Sequence, residues 1–548
     1  MKKNIIFWVM LVMALVFGMT VVGCGDDPAN DNPIEPTKSS AADILTFKVG
    51  ETAGTINGTE IQVRLPLSGS FNVEAVSPVI TLSDKAAVSP NSGTSVDFSK
   101  SVEYTVTAED GTTVKKYTVS IIQTANVTDG NLKAVLDQIT KGGSYDIEMA
   151  SNSAGFSPYS IPAGTSAKPK DIALYGSDGA RTISLSSSQK GSLFTVGQYV
   201  TVTLKDITLQ GISDNNAALV RVDQNGNLVL ESGAKIIGNT NTTVDSTANT
   251  AAGGVSSSGS VTISGGEISG NTTQSIGGGI AGGTITLTSG KIANNTAKNY
   301  GGGVYGNITV NDGEISGNKA VQGGGVYGNV TMTGGAINNN TAEGSGSVFS
   351  PTGGGVYGKV IMSGGTISGN SAVSTASTPL RSPSRGGGIY SGSVLSGQES
   401  VLSGGTITNN TALIGGGIYV PASGSLTMSK DIVVTPATST NDVSTNAIAL
   451  TFYKSSATPP VVTNATINVT ESFSGSGVIA NVDIFRDGNI EFSDAHGRTI
   501  ITGNIDAGTI ARFVLGKSQI QTSSNFDLQT ASVEGMFTLS SEGKLVQP

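Results

Sequence analysis

Six times in this chain a glycine triplet is followed by an aliphatic residue. The phrase Gly-Gly-Gly-Val-Tyr-Gly starts at Gly301, Gly323 and Gly353, and close variants start at Gly277, Gly386 and Gly415. A Ser/Asn-Gly/Asn-Asn step follows each of the three full copies. A repeat of some twenty-odd residues made of short β-type runs restricts the fold to a solenoid, in which each unit buries its apolar side only by stacking on its neighbours. The marker asparagines that keep the phase are Asn239, Asn271, Asn295, Asn318, Asn340, Asn370 and Asn410, spaced by 32, 24, 23, 22, 30 and 40 residues. The short gaps give the basic coil. The long ones carry insertions, two of which (Glu343 to Thr352 and Val373 to Arg385) fall at the same point of the repeat.

One coil shows how the pattern works. In 301–320, Val304 lies on one strand, Ile308 and Val310 on the next, and Ile315 on a third, with Asn318 at the corner after it. Alternation along a strand sends Val304, Ile308 and Val310 inward and Tyr305 and Thr309 outward. The expected fold is therefore all-β. It is a three-stranded parallel β-helix whose coils rise by ~4.8 Å, about 70 Å in all for roughly fifteen coils. The 75 glycines among 548 residues belong to its corners rather than to a linker.

These repeats resemble the right-handed parallel β-helix family, in particular the Gly-Gly-x-Ile-x-x-Asn repeats of bacterial polymorphic outer-membrane proteins. The matching segments are Gly265 to Asn271, Gly364 to Asn370 and Gly404 to Asn410. The resemblance implies a surface location and covers most of 130–430. Such proteins often end in a β-barrel translocator, and no barrel-length series of strands precedes Pro548 here.

Two further regions flank the repeats. Residues 41–124 lack triple glycines and alternate instead, as in Ile44 to Val49, Ile61 to Leu65, Val102 to Ala108 and Lys116 to Ile122. The last two runs face each other across Glu109-Asp110-Gly111, a hairpin signal. Six or seven short strands in about eighty residues suggest a β-sandwich. Ser89 to Gly93, Asp97-Phe98, Tyr104 to Gly111 and Tyr117 to Val119 resemble the Ig-like domain of bacterial surface lipoproteins, which implies a spacer or binding module. Residues 125–429 form the β-helix proper. It opens with a cap helix on which Leu132, Val135, Leu136 and Ile139 share one face, capped by Thr128 or Asp129. Residues 430–548 read as wider terminal coils and a closing cap.

The N-terminus decides location. Lys2 and Lys3 precede an apolar run from Ile5 to Val22, which reads as a secretory signal at 1–23. Val21-Val22-Gly23-Cys24 resembles the bacterial lipobox. The resemblance implies that Cys24, the only cysteine, becomes the diacylated N-terminus and that residues 24–40 form a flexible tether. An uncleaved membrane helix is the plainer alternative. Outer membrane or cell surface is the expected location, with the membrane as partner through the lipid. The net charge of −9 becomes −11 without the two lysines of the signal, and no Lys/Arg cluster occurs. Nucleic acid is not an expected partner, since phosphate binding needs a basic face.

The chemistry in the repeats is scaffold-like. The asparagine column is either a cation or ligand site or a ladder of side-chain amides, and in-register stacking supplies a ladder automatically. Tyr305, Tyr327, Tyr357, Tyr390 and Tyr419 form a second column, either a recognition stripe or mutually stacked rings that hold the sheet. Glycosidic hydrolysis needs two placed carboxylates. The repeats offer Glu267, Asp312, Glu314 and Glu343, and Lys291, Ala336, Thr366 and Thr406 fill the Glu267/Glu314 position elsewhere. The only histidine, His496, stands in Asp494-Ala-His-Gly-Arg498. Asp223-Gln-Asn225-Gly-Asn227 imitates the start of a calcium loop, but Leu228 and Ala234 stand where Gly and Glu are needed. No catalytic residue, metal or cofactor is expected. Adhesion or surface structure, toward a host matrix protein or glycan, is the function expected first. A carbohydrate-binding or carbohydrate-cleaving β-helix is the alternative.

Overall fold

The computed structural model describes residues 37–128, 130–244, 251–344, 350–375, 384–392, 399–421, 424–428 and 432–434, and short strands between 448 and 546. The signal segment, Cys24, most of the tether and the Asp494–Arg498 segment with His496 lie outside the described residues.

The N-terminal module is a sandwich of two small sheets. Ile44–Val49 pairs antiparallel with Val79–Leu82 and with Thr52–Ala53. The facing sheet runs through Thr55–Asn57, Glu60–Pro66, Val114–Val127, Val102–Thr107 and Ala87–Ser89. Strict alternation explains why these strands have two faces: in Glu60–Pro66 every second residue is buried. Phe47, Phe98 and Tyr104 meet between the sheets, with Phe47 edge-on to Tyr104 at 5.4 Å. Tyr104 is pushed up to about 12 by burial. The hairpin expected at Asp110-Gly111 is present. Asp110 accepts the N–H groups of Thr112 and Thr113 and the Thr113 hydroxyl, and these bonds hold its carboxyl down at about 2.

The strand Val114–Val127 does not stop at the expected boundary near residue 124. Its first part pairs within the sandwich, and Ile122 to Val127 pair in parallel with Ser144 to Met149, the first strand of the solenoid. Arg64 with Asp146 (2.5 Å), Glu74 with Lys168 (2.8 Å) and the Lys100 ammonium donating to Ser166 O (2.7 Å) add polar ties between the two parts. The cap helix is shorter than the apolar spacing suggests, Leu132–Leu136, with Ile139 buried just beyond it. Thr128 does not cap it. Its N–H donates to the Asn131 side chain, and Asn131 occupies the cap position.

Beyond the helix the chain is a parallel β-helix. Coil 301–320 shows the plan. Val304–Tyr305 belongs to a first ladder, Ile308–Val310 to a second and Glu314–Ser316 to a third. Val304, Val310 and Ile315 are fully buried and Ile308 nearly so. The structure adds a fourth ladder of two to four residues after the asparagine corner, Lys319–Ala320 in this coil, which runs through six coils from Thr240–Asn241 to Ser371–Ser374. The first ladder continues past the repeats through Ile448–Lys454, Val482–Arg486 and Phe513–Leu515. The second continues through Thr466–Val469, Thr499–Thr502 and Ile520–Thr522.

Candidate functional site

The triplet glycines have three separate physical reasons. Gly301 lies at φ +64°, where a side chain is strained. A Cβ at Gly302 would stand 2.4 Å from the Gly324 carbonyl of the next coil. A Cβ at Gly303 would stand 2.7 Å from the Gly325 carbonyl and 3.0 Å from the Asn318 amide. The corner is thus packed so closely against its neighbour that only residues with hydrogen in place of a Cβ fit.

Beside it runs the asparagine column. Asn239, Asn271, Asn295, Asn318, Asn340, Asn370 and Asn410 are all buried in one row. The amide of Asn318 donates to the Asn340 side-chain oxygen at 2.9 Å and to the Ile292 carbonyl at 2.8 Å. The same Asn340 oxygen accepts the Asn318 backbone N–H at 3.0 Å. Asn295, Asn340 and Asn370 repeat this arrangement. Both amide hydrogens and the oxygen are therefore committed to the scaffold. Asn215 also joins, donating to Asn239 Oδ1 at 3.0 Å. Its place in the row was readable in the sequence as one further step of 24 residues, obscured by the irregular coils before 235.

The tyrosine column stacks ring on ring. Centroids are 5.4 Å apart for Tyr305–Tyr327, 4.7 Å for Tyr327–Tyr357, 4.7 Å for Tyr357–Tyr390 and 5.0 Å for Tyr390–Tyr419. The middle pairs are within 6° of parallel. Their faces cover one another, so the column presents ring edges and hydroxyls. Tyr419 departs from the outward expectation: it is buried, with Tyr390 on one side and the Arg385 guanidinium 5.7 Å from its ring. Tyr300, one residue before a triplet, packs against Tyr327 at 4.9 Å and was missed because it lies outside the repeated phrase. Burial, then the neighbouring phenols, push Tyr357 up to about 12 and raise Tyr327 further.

Three of the four repeat carboxylates, Glu267, Glu314 and Glu343, are paired with lysines. Lys235, Glu267, Lys291 and Glu314 occupy one column of successive coils, so charge alternates up the third ladder. Lys291 Nζ stands 3.3 Å from Glu314 and Lys235 Nζ 3.6 Å from Glu267. Glu343 meets Lys319 at 2.9 Å, and Asp312 is exposed in a turn. Burial pushes the Glu314 carboxyl up, but its bonds with Ser316, Lys291 and Asn338 outweigh that and leave it below the usual carboxylate range. A group held ionised in this way does not serve as a general acid.

A groove of about 410 Å³ lies on the outer face of the second ladder. Thr309 and Thr331 line it, with Asn307, Asn329 and Lys359 along its edge and the exposed Ile361 at one end. The in-register strands place Thr286, Thr309 and Thr331 one above another at a step of ~4.8 Å, and Ile361 takes the next place. The corner glycines Gly306, Gly328 and Gly358 separate this face from Tyr305, Tyr327 and Tyr357. Neither the groove nor its threonine row was singled out from the sequence, because an outward Thr is the ordinary filler of a half-exposed strand.

Comparison with known proteins bears on the N-terminal module. Residues 44–121 match the family model described as SGBP, N-terminal, the N-terminal domain of surface glycan-binding proteins. No curated protein matches the chain. Among solved structures, one from Bacteroides thetaiotaomicron VPI-5482, provisionally titled a glycoside hydrolase, is 31% identical over 18% of this chain, with a TM-score of 0.15. The match spans 28% of that protein's length. Among the described residues no helix is long and apolar enough to cross a membrane.

Proposed function

We propose that the chain is a surface glycan-binding protein whose solenoid holds an extended polysaccharide without cleaving it. The observation that carries this is the match of residues 44–121 to the N-terminal domain of glycan-binding surface proteins. Adhesion, the function expected first from the sequence, gives way to the carbohydrate-binding alternative on that ground. The solenoid supports it: a groove in which Thr309 stands on Thr331, with Asn307 and Asn329 at its edge and Ile361 at its end, offers polar groups and an apolar contact along the length of an extended ligand. The tyrosine column borders this face with hydroxyls rather than with open aromatic platforms, since its ring faces are covered. In this reading the sandwich is a spacer, and an acylated Cys24 attaches the protein to the outer surface of the cell.

The test uses cells that carry the full chain and a fluorescent neutral polysaccharide. Cells with the wild-type protein should retain the label, and cells with Cys24→Ser should lose it while shedding protein that still binds. The retained polysaccharide should keep its chain length over hours. Shortening with time would sink the non-catalytic part, and absence of retention for every polysaccharide tried would sink the binding part.

A further inference from the structure

The groove on the second ladder changes character along its length. Up the stack, Thr309 and Thr331 give way to Ile361, which is 41% exposed and pairs in register with Val401 of the next coil. Along the edge, Asn307 and Asn329 give way to Lys359. Lys359 and Ile361 flank the fully buried Val360, so both side chains lie on the outer face.

Three observations at this end point to a ligand that carries a negative charge. First, Lys359 has no acid of its own. Other lysines of the repeats each meet one: Lys235 with Glu267, Lys291 with Glu314 and Lys319 with Glu343. Lys359 Nζ makes no ion pair or hydrogen bond among the described residues. Glu399, two residues before Val401, bonds the Thr427 hydroxyl of the coil beyond. Second, the chain carries a net charge of −9, yet no carboxylate lines the groove. Asp312 stands exposed in the turn after Thr309, outside the lining. Third, the acceptors along the amide edge are already in use. Asn307 Oδ1 accepts the Asn329 N–H at 2.9 Å, and Asn329 Oδ1 accepts the Lys359 N–H at 3.2 Å. The edge therefore ends in an ammonium, a group with three donors and no acceptor.

The lining also sets how much charge the ligand carries. One cation serves one carboxylate, and the rest of the groove is neutral. A polyanion would be repelled by the net negative charge of the chain. A sugar acid within a neutral chain meets both demands. Its carboxylate is joined to a pyranose ring, and one face of that ring is made of C–H groups that pack on an aliphatic side chain.

We propose that Lys359 and Ile361 form a subsite for a single uronic-acid unit of an otherwise neutral glycan. The carboxylate bonds Lys359 Nζ, and the C–H face of the same ring rests on Ile361. The proposal rests on the glycan-binding reading and gives it a substrate class.

Titration calorimetry on the full chain tests it with paired probes. Cellohexaose and mannohexaose are each set against the same hexamer with one unit oxidised at C6 to the uronate, and xylohexaose against xylohexaose with one glucuronosyl branch. In the pair that wild type binds best, the acidic member should bind about fivefold tighter, the upper end for a solvent-exposed ion pair. High salt should shrink that advantage. Lys359→Met should abolish it, leave the neutral member within twofold and keep the thermal midpoint, since the ammonium serves no group of the protein. Ile361→Ser should weaken both members, and no loss would overturn the ring contact. Equal binding of the two members by wild type, or an advantage that survives salt and Lys359→Met, would overturn the subsite and leave the glycan reading standing. A hexamer of galacturonate that binds tighter than every paired probe would overturn the single-acid class. Failure of wild type to bind any probe would overturn both readings.

Discussion

The sandwich and the solenoid hold themselves together by opposite means. In the sandwich each core residue is unlike its neighbours: Phe47 meets Phe98 and Tyr104 edge-on, those two rings stack on each other, and Tyr117 reaches across to Asp43. In the solenoid the repeated positions sit on copies of themselves: Val304 on Val326, Tyr305 on Tyr327, Asn318 on Asn340. A core of unlike parts fails as a unit when one part is removed. A stack of like parts loses only the interfaces next to the defect, because its stability is close to a sum over neighbours.

The largest expected effect is therefore in the sandwich. Phe47→Ala should destabilise it by about 3–5 kcal/mol. Hydrogen exchange should show protection lost throughout 44–121, with coils 295–340 unchanged. Loss confined to the strand 44–49 would erase the contrast. Next comes Asn318→Ala, which strands the Ile292 carbonyl and the Asn295 amide in a buried site and should cost about 2–4 kcal/mol. Here exchange should rise in the coils around 295–340 and leave 44–121 protected. Equal loss in both regions would show that the stack is not local after all. The smallest effect is alkaline. Tyr357 keeps its proton to about pH 12 in the folded chain, and Tyr327 also titrates high. The unfolded chain loses those protons near pH 10. The stabilisation is thus complete below pH 10 and falls as pH rises through 10 to 12. The denaturant midpoint should drop between pH 9 and pH 11. The double variant Tyr327→Phe/Tyr357→Phe should drop less, the remaining fall coming from Tyr104 and Tyr145, each also pushed up to about 12 by burial. An identical drop in the variant would remove the column from the account.

What could be read in the sequence follows the same contrast. Val304, Ile308, Val310 and Ile315 were legible as the interior because a two-residue period inside a fixed coil leaves little choice of face. The hairpin at Asp110-Gly111 was legible from its turn chemistry. The fourth ladder was not: Lys319-Ala320 and Thr296-Ala297 carry no strand pattern, and they pair only because the corner before them is locked by asparagine. Burial of Tyr419 was invisible for a related reason, since Arg385 reaches it from a loop of the previous coil. Sequence periodicity reports the common part of each coil and is silent on the corners that vary.

The strand Val114–Val127 has a mechanical meaning. One continuous segment is woven into both bodies, and ion pairs at Arg64 and Glu74 brace the junction. A swivel at that seam would have to break the strand pairing on one side of it. Torque applied to the sandwich passes into the solenoid as it would through a handle into a blade, so the direction in which the threonine face points is fixed by how the sandwich is held.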